Sequence, residues 1–306
     1  MLYYICSSVT EVCMEKSLKK QVGKNKVFYL LFLPIAIYLI LFSYYPFFTG
    51  LALSFQENKL IGKKGFVGFE NYVSVLKDPN FVVAIKNSLI IGLWDFFLYF
   101  VLSLVFALML NEVRLKKVRQ GIQTLAYVPY LFSWSVIGGI WALLFDVRGV
   151  VNQCLGWFGA SPVFFLASPQ FARPLIIGMG IWRSIGYYAL LYMVAISSID
   201  TEIFEAARID GAGRFSQIVH VILPQLVPTM KTIIVLLAMG ILTHFDEIYV
   251  MVNPANRNQI SSLLLYVYET GILSFKSGTA SAGATLVMIG TLVVTQVFRS
   301  ATKFDT

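Results

Sequence analysis

Apolar runs of about twenty residues, parted by shorter polar stretches, set the pattern of this chain. A bilayer's hydrocarbon core, about 30 Å thick, takes roughly 20 apolar residues in a helix. Six runs meet that length, at residues 27–48, 88–110, 124–145, 174–196, 229–250 and 280–297. No ten-residue segments alternate at period two, which argues against a membrane β-barrel. The pattern therefore predicts an all-α, polytopic membrane protein of six transmembrane helices. Its organisation reads as an N-terminal tail (1–26), a six-helix membrane domain (27–298) and a C-terminal tail (299–306). Residues 1–13 read as a start-site extension, because "MEKSLKKQVGKNK" from Met14 resembles a natural cytoplasmic start.

Composition excludes an ordinary soluble protein: 58% of the 306 residues are hydrophobic and only 13% charged, with a mean hydropathy of +0.74. Aromatics make up 15%, as expected where Trp and Tyr gather at bilayer interfaces. Cys6, Cys13 and Cys154 have no metal-site spacing and cannot all pair with one another. The first apolar run lacks a small-residue cleavage site and reads as a retained helix. Lys16, Lys19, Lys20, Lys24 and Lys26 precede it. The positive-inside rule thus places the N-terminus in the cytoplasm, and six spans return the C-terminus there. The net charge of +8 reads as lipid-facing collars, with no nucleic-acid partner.

That topology puts residues 202–224, "EIFEAARIDGAGRFSQIVHVILP", on the cytoplasmic side between the fourth and fifth spans. Asp200 or Thr201 can cap a short helix. Asp210-Gly211 with Gly213 is a turn signal, since glycine supplies the positive φ such turns need. Phe215, Ile218, Val219 and Ile222 then recur at helical spacing, and Pro224 is expected to end or kink that second helix. The spacing fits either a knuckle that projects into a partner's cleft or an amphipathic hairpin lying on the membrane.

The same stretch resembles the EAA loop of the permeases of ABC importers. Glu205-Ala206-Ala207, Gly211 and the closing Ile222-Leu223-Pro224 stand at that family's separations. "FVGFENYVSVLKDPNF" (66–81), "AYVPYLFSWSVIGGIWALLF" (126–145) and "FDEIYVM" (245–251) resemble its binding-protein-dependent sugar branch, maltose-transporter-like, and the likeness runs from about residue 27 to the C-terminus. The resemblance implies that the knuckle is a coupling helix between spans 4 and 5, docking on an ATPase. Glu205 would meet an ATPase arginine, Ala206, Ala207, Gly211 and Gly213 would allow close approach, and Asp210 belongs to the same coupling set. It implies a second homologous permease, two cytoplasmic ATPase subunits, an extracytoplasmic solute-binding protein, a carbohydrate substrate and a bacterial cell membrane.

No G-x-x-x-x-G-K-[ST] phosphate loop occurs. The chain is therefore expected to be no enzyme and to hold no cofactor or metal, with ATP and Mg on partner subunits. Charges within the spans are functional candidates by default. Arg183 lies mid-span, with Trp182 beside it and Tyr187 one turn on. These three suit a sugar site, where an aromatic face meets pyranose C–H groups and a charged fork meets hydroxyls or a carboxylate. Alternatively, Arg183 pairs with Asp246 to hold the bundle. His244, Asp246 and Glu247 fall near the outer end of the fifth span, at a cavity mouth or at headgroup level. Asp95 reads as structural, and Lys231 as snorkelling to the cytoplasmic interface. Gly138-Gly139 and "GMG" (178–180) read as helix contacts. The loops at 50–86, 146–173 and 253–276 read as a platform for the binding protein, with a short surface helix beginning near Phe69.

Two rival classes would leave different marks. A secondary transporter of a small polar solute would want internal repeats and midplane acids. A membrane enzyme would want a carboxylate pair or metal ligands on a polar loop. The sequence offers neither pattern.

Overall fold

The computed structural model describes residues 26–59 and 65–304. The start-site reading, Cys6, Cys13 and the tail lysines before Lys26 lie outside those residues. Helix α1, Lys26–Leu53, is a unit by itself, apolar along its length. Ahead of Pro46 it contains a π turn, Ile40–Tyr44, in which the Tyr45 N–H reaches back to the Ile40 carbonyl.

The second unit begins at Ser54. Its described elements are helical apart from an isolated antiparallel bridge, Gln56–Phe66. Helix α2 (Glu70–Lys77) is the expected short helix after Phe69. Asn71, buried on it, donates to the carbonyls of Ser54 (2.9 Å) and Gln56 (2.8 Å). Helix α3 (Pro79–Glu112) starts where the Asp78 carboxylate accepts from the Asn80 N–H at 2.9 Å, with Pro79 in the first turn, where no N–H is needed. At 34 residues it is about 50 Å long and overruns the hydrocarbon core. Its buried positions, Ala84, Ser88, Ile91, Asp95, Tyr99, Ser103 and Ala107, recur every three or four residues and make one face.

That face packs mainly on α7 (Pro169–Ser197). Between them in sequence come α4 (Lys116–Leu131, whose last turn is 3₁₀), α5 (Trp134–Leu144) and α6 (Val150–Trp157). Here the structure corrects the third span. The run 124–145 is no continuous helix: α4 and α5 meet at 105°. Pro129 tightens the end of α4, Phe132 and Ser133 are extended, and the Ser133 hydroxyl accepts from the Val136 N–H at 3.4 Å. A serine cap before an apolar run marks a helix start, and Ser133 carried that signal inside the predicted span.

The short helix α8 (Thr201–Ile209) follows, and then the long α9 (Arg214–Gly240). Pro224 does not end α9. A π turn at Ile218–Ile222 precedes it, in which the Leu223 N–H bonds to the Ile218 carbonyl. The wider turn accommodates a ring that would otherwise press on the carbonyl four residues back. The fifth span is also shorter than 229–250 at its outer end. Helix α9 stops at Gly240, and a non-helical break precedes α10 (Asp246–Met251). Then come α11 (Arg257–Ile260), α12 (Leu263–Leu273, closing in a π turn) and α13 (Ser277–Ala301).

Glycines set the close approaches. A Cβ at Gly92 would strike the Ile241 carbonyl, one at Gly186 the Ala126 carbonyl, and one at Gly138 the Val250 side chain. Each glycine lets one backbone lie against a neighbouring element. Gly139, its neighbour, meets nothing within 4 Å. Lys231 Nζ donates to the Lys303 carbonyl, just beyond the end of α13, at 2.7 Å.

Candidate functional site: a knuckle, an elbow and a buried triad

The knuckle is built from α8 and the start of α9. The Asp200 carboxylate caps α8 by accepting from the Glu202 N–H at 3.0 Å. The other end closes in a Schellman turn: Ala212 N–H to Ala207 carbonyl at 2.8 Å and Gly211 N–H to Arg208 carbonyl at 3.1 Å, with Gly211 at φ +80°. Gly213 then caps α9, and Gln217 closes onto the Gly213 and Ala212 carbonyls, each at 2.9 Å. Glu205, Ala206, Asp210, Gly211 and Gly213 are exposed, and Ala207 is half-buried.

The predicted stripe divides. Ile222 is buried in the core, whereas Phe215 is 79% exposed and stands on the knuckle with Ile209, 86% exposed. Both apolar side chains stand bare among the charged residues of the knuckle. The knuckle is fixed to the bundle by an ion pair between Arg214 and Glu112, at the end of α3. A cavity of about 600 Å³ lies behind it, with Arg114, Arg119, Arg208 and Glu205 on its wall.

The elbow between α4 and α5 organises the second group. Because Gly186 lets α4 press on α7, Tyr130 stacks on Tyr187, with centroids 4.3 Å apart and planes 9° off parallel. The Arg183 guanidinium lies 4.3 Å from the Trp134 ring centroid and 4.9 Å from that of Tyr130. Its Nε donates to the Phe132 carbonyl at 3.4 Å, a carbonyl left over at the bend. Trp182, 39% exposed, is 6.4 Å from Trp141. The sequence-predicted trio Trp182, Arg183 and Tyr187 thus stands on one aromatic elbow, whose Tyr130 and Trp134 the sequence reading did not assign. Among the described residues Arg183 makes no ion pair, with Asp246 or any other carboxylate.

The third group separates. Asp246 is exposed, but His244 and Glu247 turn inward. His244 Nδ1 lies 2.5 Å from Glu247 Oε1 and 3.8 Å from Asp95 Oδ2, and all three side chains are nearly buried. In this conformation protein encloses the side chains of His244 and Glu247. The break after Gly240 swings His244 toward α3, which a continuous helix does not do.

A second polar node went unread. Asn87 is buried and donates to the carbonyls of Asn258 and Ser261, both at 3.1 Å, while accepting from Arg173 Nη2 at 2.9 Å. Arg173 Nε completes it on the Gln259 carbonyl at 3.0 Å. The node ties α3, α7 and α11 together. An apolar-run reading passes over a lone Asn at the edge of a span.

Taken together, these elements define a multi-pass helical membrane protein with a protruding helix–turn–helix knuckle and charges enclosed among its spans. The chain belongs to the family of binding-protein-dependent transport system inner membrane components, which matches residues 100–301. Its function is that of a permease subunit of such a transport system. It is 30% identical over 292 residues to the polygalacturonan/rhamnogalacturonan transport system permease protein YteP of Bacillus subtilis (strain 168), covering 92% of this chain and 89% of that one. It is 28% identical over 278 residues to the arabinooligosaccharides transport system permease protein AraP of the same organism, covering 90% and 88%. Among solved structures it is similar to a chain of a bacterial ABC transporter involved in the import of the acidic polysaccharide alginate. There the TM-score is 0.87 at 29% identity, covering 94% of this chain and 98% of that chain. A second structure of an alginate ABC transporter, in complex with an alginate pentasaccharide-bound periplasmic protein, matches with a TM-score of 0.85 at 29% identity, covering 92% and 95%.

Proposed function

We propose that this chain is one of two homologous permeases of an ATP-driven importer, carrying an oligosaccharide from an extracytoplasmic binding protein into a bacterial cytoplasm. Relatives named for oligosaccharide and polysaccharide transport support the substrate class. In this reading both termini and the knuckle face the cytoplasm, and two ATPase subunits bind ATP and Mg. Glu205 and Asp210 make charged contacts with an ATPase groove. Ala206, Ala207, Gly211 and Gly213 permit close approach, and Ile209 and Phe215 enter its apolar floor. Trp182, Arg183 and Tyr187 line the substrate path. Asp246 stands near its outer end, and His244 and Glu247 come to line it when the break before α10 opens. Nucleotide closes the ATPase pair and drives the knuckle, while the loaded binding protein biases the same two-state equilibrium from outside.

The observation that carries this reading is the knuckle itself: a Schellman-closed turn presenting bare Ile209 and Phe215 beside Glu205. The test is co-purification with the neighbouring permease and ATPase, wild type against Glu205→Lys. The expected result is loss of the ATPase and of binding-protein-stimulated ATP hydrolysis, with the two permeases still paired. Unchanged assembly and stimulation would remove Glu205 from the coupling contact.

A further inference from the structure

We propose that Arg183 is a carboxylate receptor and that the oligosaccharide carried past it is acidic, a uronic acid oligomer; this rests on the carbohydrate reading above. Arg183 is at the middle of a 29-residue spanning helix, where an unneutralised charge is expensive. A cation kept there for packing alone would be expected to sit against a carboxylate, and candidates lie in the same bundle. Asp95 and Glu247 are instead both turned to His244, and Asp246 makes no ion pair with it among the described residues.

What holds Arg183 is aromatic. Trp134 and Tyr130 lie within 5 Å of the guanidinium carbon, and Nε is directed at the Phe132 carbonyl. Cation–π contact steadies the charge without neutralising it. Nε being engaged, the edge carrying Nη1 and Nη2 remains, and among the described residues no acceptor takes either nitrogen. That edge is the planar fork that grips a carboxylate through two parallel hydrogen bonds. Sugar hydroxyls ask for less: neutral hydroxyl recognition is served by amides and hydroxyls, without a charge in the membrane.

The surroundings fit a sugar ring as well. Trp182 is partly exposed next to Arg183, Trp141 is a further ring beyond it, and the stacked Tyr130–Tyr187 pair lies on the other side. A pyranose laid on such a surface buries its C–H face while its carboxylate reaches the fork. The bond is reversible ion pairing, so the site is a stepping point along a path and not a trap.

The experiment measures ligand binding to the purified complex without its binding protein, through the ligand-dependent change in intrinsic tryptophan fluorescence, to which Trp134 and Trp182 contribute. The probes are oligogalacturonates, oligomannuronates and oligoguluronates, each against its carboxyl-reduced neutral counterpart. Wild type is expected to bind at least one uronate series tenfold or more tightly than the reduced sugar. Arg183→Gln should erase that preference, with the loss of affinity falling chiefly on the uronate series. Arg183→Lys, which keeps the charge but not the fork, should fall between and covers the case in which the Gln variant does not assemble. Equal binding of acidic and neutral sugars, unaltered by either variant, overturns the proposal and leaves the carbohydrate reading standing. Parallel loss of both sugars in both variants makes Arg183 a packing residue and overturns it too. If no oligosaccharide binds and none is taken up by the reconstituted system, the carbohydrate reading itself fails.

Discussion

His244 and Glu247, three residues apart, meet at 2.5 Å between Nδ1 and Oε1, across the start of α10, where helix resumes after the break in the fifth span. With Asp95 of α3 within 3.8 Å of the same nitrogen, the pair fastens the broken segment to a neighbouring helix in a region with almost no solvent. Removing Glu247 takes away the close partner of His244 and leaves it only the 3.8 Å contact with Asp95; breaking such a buried pair costs roughly 3–5 kcal/mol. Glu247→Ala is therefore expected to lower the thermal stability of the purified complex substantially. A second substitution, His244→Ala in the same chain, should add much less than it does alone, since the interaction is already gone. Additive losses would show that the two residues act separately.

The close approach at Gly92 makes a sharper structural test. A methyl there would run into the backbone of Ile241, which cannot swing aside as a side chain can. Gly92→Ala should destabilise by at least the ~1–3 kcal/mol typical of overpacking and loosen the segment carrying His244. Gly139 meets nothing within 4 Å, so Gly139→Ala should be neutral or gain up to ~1 kcal/mol from helix propensity. Thermal unfolding of the two variants side by side decides it. A loss at Gly139 confined to the assembled complex would mark it as a contact with the second permease.

These two glycines also measure how far the sequence could be read. Run length located the spans, because bilayer thickness fixes the number of apolar residues. The "EAA" and "DGAG" signals located the knuckle, because turn chemistry is local. Breaks inside apolar runs were harder to read, because length and mean hydropathy pass over them. Ser133 signals the first only as a cap, and Thr243 and His244 the second only as polar residues in the run. The close approaches at Gly186 and Gly92 that accompany them are tertiary. Arg183, His244 and Glu247 were visible as intramembrane charges. Their partners were not, since Tyr130, Trp134 and Asp95 come from other helices. Pro224 does not end the helix for the opposite reason: its local rule is sound, but a π turn accommodates the ring inside α9.

The node around Asn87 should govern the outer segment near α11. Its amide holds two carbonyls and orients Arg173. Leaving such buried groups unpaired costs about 1–3 kcal/mol each. In Asn87→Ala, backbone amides over residues 257–261 are expected to exchange hydrogen at least tenfold faster, with the knuckle amides unaffected. Uniform acceleration throughout the chain would mean global destabilisation and not a local tie.

The exposed pair on the knuckle separates folding from assembly. Ile209 and Phe215 have little neighbouring protein to lose, so Ile209→Ser and Phe215→Ser should change the permease's own stability by no more than ~0.5 kcal/mol, as for surface sites generally. If they enter an ATPase groove, each forfeits the roughly 1.5–3 kcal/mol that burying such a side chain contributes. At 1.4 kcal/mol per decade, that is a tenfold or greater loss of affinity. The measurement is ATPase binding to permease complexes of matched thermal stability. Full-strength binding by both variants would leave the apolar tip without a role in docking. A drop in stability matching the drop in binding would make Ile209 and Phe215 part of the fold, against their exposure.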